Sequence, residues 1–163
     1  MQGLFKARWS EAINEEWTRN LLQNNPQLDS SKVARIVLLM NKAVGDWEVS
    51  SFEELIPSLS LPDENDRHVL AAAIKANADA IITFNLDDFP ESCLSPHGIE
   101  ALHPDHFVLD LLDLNAHQVL DSARECWRRR KNPPMTWEEY LESLEQRAKL
   151  PQSAEKIREV AAF

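Results

Sequence analysis

Hydrophobic positions recur with a helical period along most of the chain, and short apolar runs interrupt them. Ser10 has the character of a helix N-cap, followed by Glu11 and an apolar face of Ile13, Trp17, Leu21 and Leu22. Asn24–Asn25–Pro26 stops that helix. Asp29 or Ser30 caps a second helix over Lys32–Lys42, with Val33, Ile36, Val37 and Met40 as its core stripe and Gly45–Asp46 as its end. Trp47–Val49 reads as a short strand, and Phe52–Leu55 as a helical turn closed by Pro57. Asp63 opens the next helix, with Asp66 in its first turn and Val69–Ile74 as a buried run; Asn77 supplies the stop.

Ala78–Thr83 is short and almost wholly apolar, the pattern of a strand covered on both faces in a parallel sheet. Helix, short loop and buried strand in that order predict an α/β fold. A polar turn, Asn85–Pro90, follows, and Gly98–Ala101 reads as a last strand. From Pro104 the pattern is helical again, through Leu109, Leu112, Val119, Leu120, Ala123 and Trp127, as far as Arg128–Lys131 and Asn132–Pro133–Pro134. Thr136 and Glu139 predict a capping box for a helix over Trp137–Leu144. Pro151 breaks it, and the segment from Ser153 is weakly amphipathic.

Composition narrows the class. The chain has 163 residues, of which 44% are hydrophobic, so it suits one globular domain with a real core rather than a disordered chain. The two cysteines, Cys93 and Cys126, do not make a disulfide framework; they read as packing residues and fit a reducing cytosol. No apolar run approaches membrane-spanning length, and Met1–Gln2–Gly3 leads straight into a charged segment rather than a signal peptide. The expected location is cytoplasmic. A net charge of -10 argues against holding nucleic acid by bulk attraction.

The acids suggest a different use. Ligands in open α/β sheets bind beyond the C-terminal ends of strands. Asp63 and Asp66 at a helix start, and Asn85, Asp87 and Asp88 after the strand ending at Thr83, meet there in such a fold, with Glu15 or Glu16 of the first helix as a third contributor. Grouped carboxylates repel unless a cation neutralises them, and oxygen donors suit Mg²⁺ or Mn²⁺. The matching chemistry is metal-assisted phosphodiester hydrolysis. The plainer readings stand beside it: Asp63 as an N-cap, Asp66 as a partner of the helix dipole, Asp87 and Asp88 as turn residues.

Leu61–Ala73 and Ile81–Pro90, with Ala7–Trp17 and Asn132–Leu141, resemble the PIN domain, closest to its bacterial branch related to VapC-type toxins. The resemblance implies a PIN-like three-layer α/β/α fold with a short parallel sheet over residues 1–108, and a helical C-terminal extension over 109–163. It implies a metal-dependent endoribonuclease, the toxin of a toxin–antitoxin pair, with RNA as substrate and a cognate antitoxin, DNA-binding in many pairs, as inhibitor. The family's acids correspond here to Glu16 (with Glu15 as the alternative), Asp66, Asn85 and Asp88. Asp66, Glu16 and Asp88 would hold Mg²⁺ or Mn²⁺, with Asp63, Asp87 and Thr83 as auxiliaries.

The family pattern opens with an Asp-bearing strand, which this sequence lacks; it starts where the family's first helix is ending. Three explanations are open. The chain is shortened, a second polypeptide or a swapped copy supplies the strand, or the chain is a natural remnant. The first two predict a nuclease, with a homodimer or partner contact near the gap; the third predicts a catalytically incomplete PIN-fold binding partner or scaffold.

Other residues carry weaker signals. His68 could bind phosphate or act as an acid, or simply pack or hydrogen-bond structurally. His97, His103 and His106 with Cys93 match no standard zinc spacing. Arg128–Arg129–Arg130–Lys131 could meet RNA phosphate or merely complement a helix C-terminus. The five tryptophans could stack bases but suit a core.

Overall fold

The structure is a computed structural model that describes residues 3–162. Met1, Gln2 and Phe163 lie outside the described residues, and with them part of the reading of the first three residues. The helix signals act as read. Ser10 Oγ accepts from the Ile13 amide at 3.3 Å and starts α1 (Glu11–Asn24). Asp29 accepts from Ser31 N at 2.9 Å and starts α2 (Ser30–Val44). Gly45 ends α2 at φ 61°, a left-handed value that glycine adopts without a Cβ penalty.

α3 (Arg67–Lys75) follows a 3₁₀ turn, Glu64–Asp66. Asn77, at φ 50°, closes it in the left-handed conformation; its amide donates to Ile74 O at 3.1 Å and the Ala78 amide to Ala73 O at 3.0 Å. This double closure satisfies two carbonyls that the helix end leaves without partners, and sends the chain directly into β1 (Ala80–Ile82). After a 3₁₀ turn at Leu86–Asp88 and the short α4 (Glu91–Leu94), β2 (Glu100–Leu102) pairs with β1 in parallel. Glu100 N donates to Asp79 O at 3.1 Å and Thr83 N to Leu102 O at 3.0 Å.

The chain forms two units. The first comprises Lys6–Ile81 and Asn85–Ala101. Its core is Leu70, Ala71, Ala72 and Ala73 of α3 packed with Val49, Phe52, Leu59, Leu61, Ile81, Phe89, Leu94 and Ile99. The second is built on α5 (Pro104–Arg128), α6 (Trp137–Gln146) and α7 (Pro151–Ala161), and includes Ile82–Phe84. Its core gathers Leu111, Leu112, Val119, Leu120, Tyr140, Leu141 and Ile157. α5 is interrupted at Asn115, whose backbone leaves the helical region and whose side chain accepts from Gln118 N at 3.1 Å, capping the second half. Thr136 and Glu139 form the expected capping box, with Thr136 N donating to Glu139 Oε2 at 2.6 Å.

Several expectations are corrected. Trp47–Val49 is not a strand of the sheet; it makes one isolated parallel bridge, in which Trp9 N donates to Trp47 O and Val49 N to Trp9 O, both at 2.9 Å. β1 is not covered on both faces: Ile81 is buried, but Ile82 is 41% exposed. The core stripe of α2 reduces to Val33 with a half-buried Val37; Ile36 and Met40 are exposed, as are Leu38 and Leu39, because α2 packs along a narrow seam against α1. Cys126 is exposed rather than packed. Pro151 does not break the preceding helix: α6 ends at Gln146, and Pro151 stands at the first position of α7, where its missing N–H costs nothing. Among the described residues no helix is long and apolar enough to cross a membrane.

The start of α7 depends on a contact that local sequence does not show. Leu150 occupies the N-cap and has no side chain that can accept a hydrogen bond. Asp105, at the start of α5 and buried, replaces it: its carboxylate accepts from Gln152 N at 3.0 Å, Ser153 N at 2.8 Å and Ser153 Oγ at 2.5 Å. Burial pushes the Asp105 carboxyl up, but these hydrogen bonds outweigh it and hold the carboxyl below the usual range. An acid whose pKa is lowered by folding adds stability above its unfolded pKa and loses it as pH falls through the folded value. Asp105→Ala is therefore expected to destabilise the protein by about 2–4 kcal/mol at neutral pH, since it leaves buried amides unpaired. Urea unfolding across pH checks this: the gap from the parent should shrink as pH drops below the ordinary carboxylate range.

Candidate active site

The acids of the first unit are placed by α1, by the turn before α3 and by the turn after β1. Asp63 is exposed and committed to local structure: its Oδ1 accepts from Asn65 N at 2.8 Å and from Asn65 Nδ2 at 2.9 Å, capping the 3₁₀ turn. Asp66 sits at the N-cap position of α3, yet its side chain makes no capping hydrogen bond. Capping falls to Asp63 and leaves the Asp66 carboxylate outside the helix's own hydrogen bonding. The plain reading of Asp63 as a cap thus holds, for the 3₁₀ turn that leads into α3.

Glu16 faces this region; Glu15, one position along α1, is exposed. Glu16 Oε2 lies 2.9 Å from His68 Nε2. His68 Nδ1 is buried without a partner. A hydrogen on Nε2 serves the Glu16 carboxylate and leaves a lone pair, not an N–H, at the buried Nδ1. His68 is thereby tied to an acid of the site, a role its position in the sequence did not reveal. The register of α1 is held by a polar cluster: buried Asn14 accepts from Trp17 Nε1 at 3.2 Å, and Asn41 of α2 accepts from Trp9 Nε1 at 3.0 Å.

After β1, the Asn85 amide donates to Asp88 Oδ2 across the 3₁₀ turn. Asp88 is half-buried, whereas Asp87 is exposed. Thr83 belongs to the second unit and its amide is engaged with Leu102. His103, considered for zinc, uses Nδ1 to accept from Asp105 N at 3.1 Å and packs its ring edge-on against Phe84.

The electrostatics join the acids on Asp66. Burial raises its carboxyl above the usual range, and the negative charges of Asp88, Asp63 and Glu16 raise it further; His68 pulls the other way. Of the charges acting on Asp66, that of Asp88 is the largest, followed by Asp63 and then Glu16. Their oxygens are not drawn into one coordination shell: among the described residues no group of three or more His, Cys, Asp or Glu side chains stands close enough to hold a metal ion. Glu16 and Asp88 instead hydrogen-bond to His68 and Asn85.

These features agree with what comparison with known proteins finds. The family described as "PIN domain" matches residues 1–87, and the chain belongs to that family. The description "VapC50 C-terminal domain" matches residues 104–159, the stretch of α5–α7. Among curated proteins, "Putative ribonuclease VapC50" of Mycobacterium tuberculosis (strain ATCC 25618 / H37Rv) is 42% identical over 93 residues. That alignment covers 57% of this chain and 54% of the relative, about half its length. No solved structure matches the chain.

An acid whose pKa is raised by folding holds its proton more tightly when folded. Ionised Asp66 therefore opposes folding at neutral pH, and the penalty disappears as pH falls below the ordinary carboxylate value. Asp66→Asn is expected to raise the melting temperature slightly at neutral pH, by on the order of 2 °C for a chain of this size. The gain should vanish near pH 3, and calorimetry at the two pH values checks it.

Proposed function

We propose that this chain is a metal-dependent PIN-domain endoribonuclease and the toxin of a toxin–antitoxin pair in the cytoplasm. It hydrolyses RNA phosphodiester bonds and is held in check by a cognate, DNA-binding antitoxin. The observation that carries the reading is Asp66: a half-buried carboxylate left out of helix capping and crowded by Asp88, Asp63 and Glu16. Such crowding costs stability and is useful where a cation must be held. The donor set fits Mg²⁺ or Mn²⁺, since Asp66, Glu16 and Asp88 offer hard oxygens, with the His68 imidazole hydrogen-bonded to Glu16 rather than offered as a ligand. When bound, the metal supplies an activated water and offsets the charge that develops on the phosphate.

The protein's own groups do the rest. Asp66, at the N-cap position of α3, would be the central ligand. His68 orients the Glu16 carboxylate through Nε2, and Asn85 orients Asp88. Asp63, Asp87 and Thr83 are auxiliary. The surrounding fold is read as the three-layer α/β/α arrangement.

One observation favours a second reading, a catalytically incomplete PIN-fold binding module or scaffold. Ile36, Leu38, Leu39 and Met40 leave α2 with an exposed apolar face, a feature of partner-binding surfaces.

Purified protein incubated with structured and unstructured RNA separates the two. The nuclease reading expects cleavage with Mn²⁺, none with EDTA, and a loss on the order of 100-fold or more in Asp66→Asn. Cleavage that survives EDTA or Asp66→Asn would sink it. An inert chain whose activity returns when an Asp-bearing strand is joined ahead of residue 1 would identify the incomplete site.

A further inference from the structure

We propose that Arg128, Arg130 and Lys131, at the end of α5 and in the turn beyond it, form a docking surface for the phosphate backbone of single-stranded RNA. The choice of RNA rests on the nuclease reading above; the surface itself rests on the following observations.

The first is the absence of neutralisation in an acidic chain. The sequence has 27 acids against 17 Lys and Arg. Three arginines elsewhere find acids, Arg8 with Asp46 at 2.8 Å, Arg67 with Glu64 at 3.1 Å and Arg158 with Glu138 at 2.7 Å, whereas among the described residues Arg19, Arg35, Arg124 and Arg147 make no ion pair but stand apart from one another in the chain, not in a run. In the run Arg128–Lys131 all four cations are exposed, and Arg129 alone has such a partner, Glu125 at 2.5 Å. Among the described residues, Arg128, Arg130 and Lys131 have no carboxylate within ion-pair distance.

The second is that the helix-end explanation accounts for only half of the run. Cations stabilise a helix C-terminus within its last turn. Arg128 is the last residue of α5 and Arg129 its C-cap, so these two meet that need. Arg130 and Lys131 lie past the helix.

The third is that the turn holding them is built. Arg130 N donates to Trp127 O at 2.9 Å, Lys131 bridges to Pro134, and Trp127 Nε1 donates to Met135 O at 2.9 Å. The cations therefore project from an anchored backbone, which lowers the entropy lost when they engage a ligand.

The ligand class follows from charge and range. A chain of net charge -10 repels a polyanion, and at physiological salt charges more than about 8 Å away are screened, so attraction must come from a local cluster. Guanidinium forks match phosphate oxygens in pairs. The run holds no apolar side chain to anchor a protein partner, which makes an acidic polypeptide the poorer fit.

The test measures binding rather than cleavage. The full chain carrying Asp66→Asn, in EDTA, is titrated against a fluorescent single-stranded RNA over a range of salt concentrations. Arg128→Gln/Arg130→Gln/Lys131→Gln is compared with Lys32→Gln/Arg35→Gln/Lys42→Gln, which removes equal charge from α2. For single strands the slope of log affinity against log salt is about 0.7 per phosphate contact, so the first triple should flatten the slope by roughly 2 and weaken binding about tenfold or more. The α2 triple should leave both near the parent. Circular dichroism should show the same helix content in all three.

Equal affinity and slope in parent and first triple overturn the proposal, as does equal weakening by both triples, or no RNA binding by the parent. A first triple that keeps its RNA affinity but loses an acidic protein partner overturns it too. If the slope changes as expected while the chain without Asp66→Asn shows no Mn²⁺-dependent cleavage, the nuclease reading fails and the docking surface stands.

Discussion

The first unit depends on the burial of one short helix. α3 has only nine residues, too few to be stable alone in water, so its existence rests on packing. Leu70 and Ala71–Ala73 provide this: all are buried, and the three alanines let the elements that carry Phe52, Leu59, Ile81 and Ile99 approach the helix backbone closely. A larger side chain at Ala71 or Ala72 would overpack a core with no free volume to absorb it. The first turn of that helix carries Asp66, so the best-anchored element of the unit fixes the carboxylate on which the other acids act. A site built on a packed helix is held more closely than one built on a loop.

Reading helix limits from sequence worked where the signal was local. Ser10, Asp29, Thr136 with Glu139, and Asn77 each act through atoms within five residues, so their identity and spacing suffice. Reading failed where the deciding contact was distant. α7 looked weak because its cap, Asp105, lies 48 residues before Ser153. The apolar residues of α2 satisfied a helical stripe, but periodicity reports that a face is apolar, not that anything covers it; Ile36 and Met40 are exposed. An apolar run such as Ala78–Thr83 likewise suggested cover on both faces, yet Ile82 is exposed.

The acids divided by a similar rule. That acids around Asp63–Asp66 and Asn85–Asp88 would meet, with Glu15 or Glu16 as a third contributor, was legible from the order of elements in an α/β chain; the choice of Glu16, Asp66 and Asp88 came with the family resemblance. Which acids stay outside was less so. Asp63 and Asp66 stand three residues apart at one helix start, and only their hydrogen bonds show that Asp63 caps while Asp66 does not. Asp87 and Asp88 are adjacent, and only the folded turn distinguishes them, leaving Asp87 exposed and Asp88 half-buried and hydrogen-bonded to Asn85. His68 was ambiguous because its partner, Glu16, lies 52 residues away.

The division between Asp63 and Asp66 also explains how one helix start can serve stability and chemistry together. A carboxylate at the N-cap position normally gains about 1 kcal/mol by accepting amide hydrogen bonds, and that bonding lowers its pKa. Had Asp66 capped α3, the same hydrogen bonds would have competed with any ligand for its oxygens. The 3₁₀ turn Glu64–Asp66 moves the capping three residues earlier, to an exposed Asp63 that also binds Asn65. The short turn before α3 therefore has a function of its own: it stabilises the entry to the helix and leaves Asp66 facing Glu16 and Asp88, raised in pKa and without a competing cap.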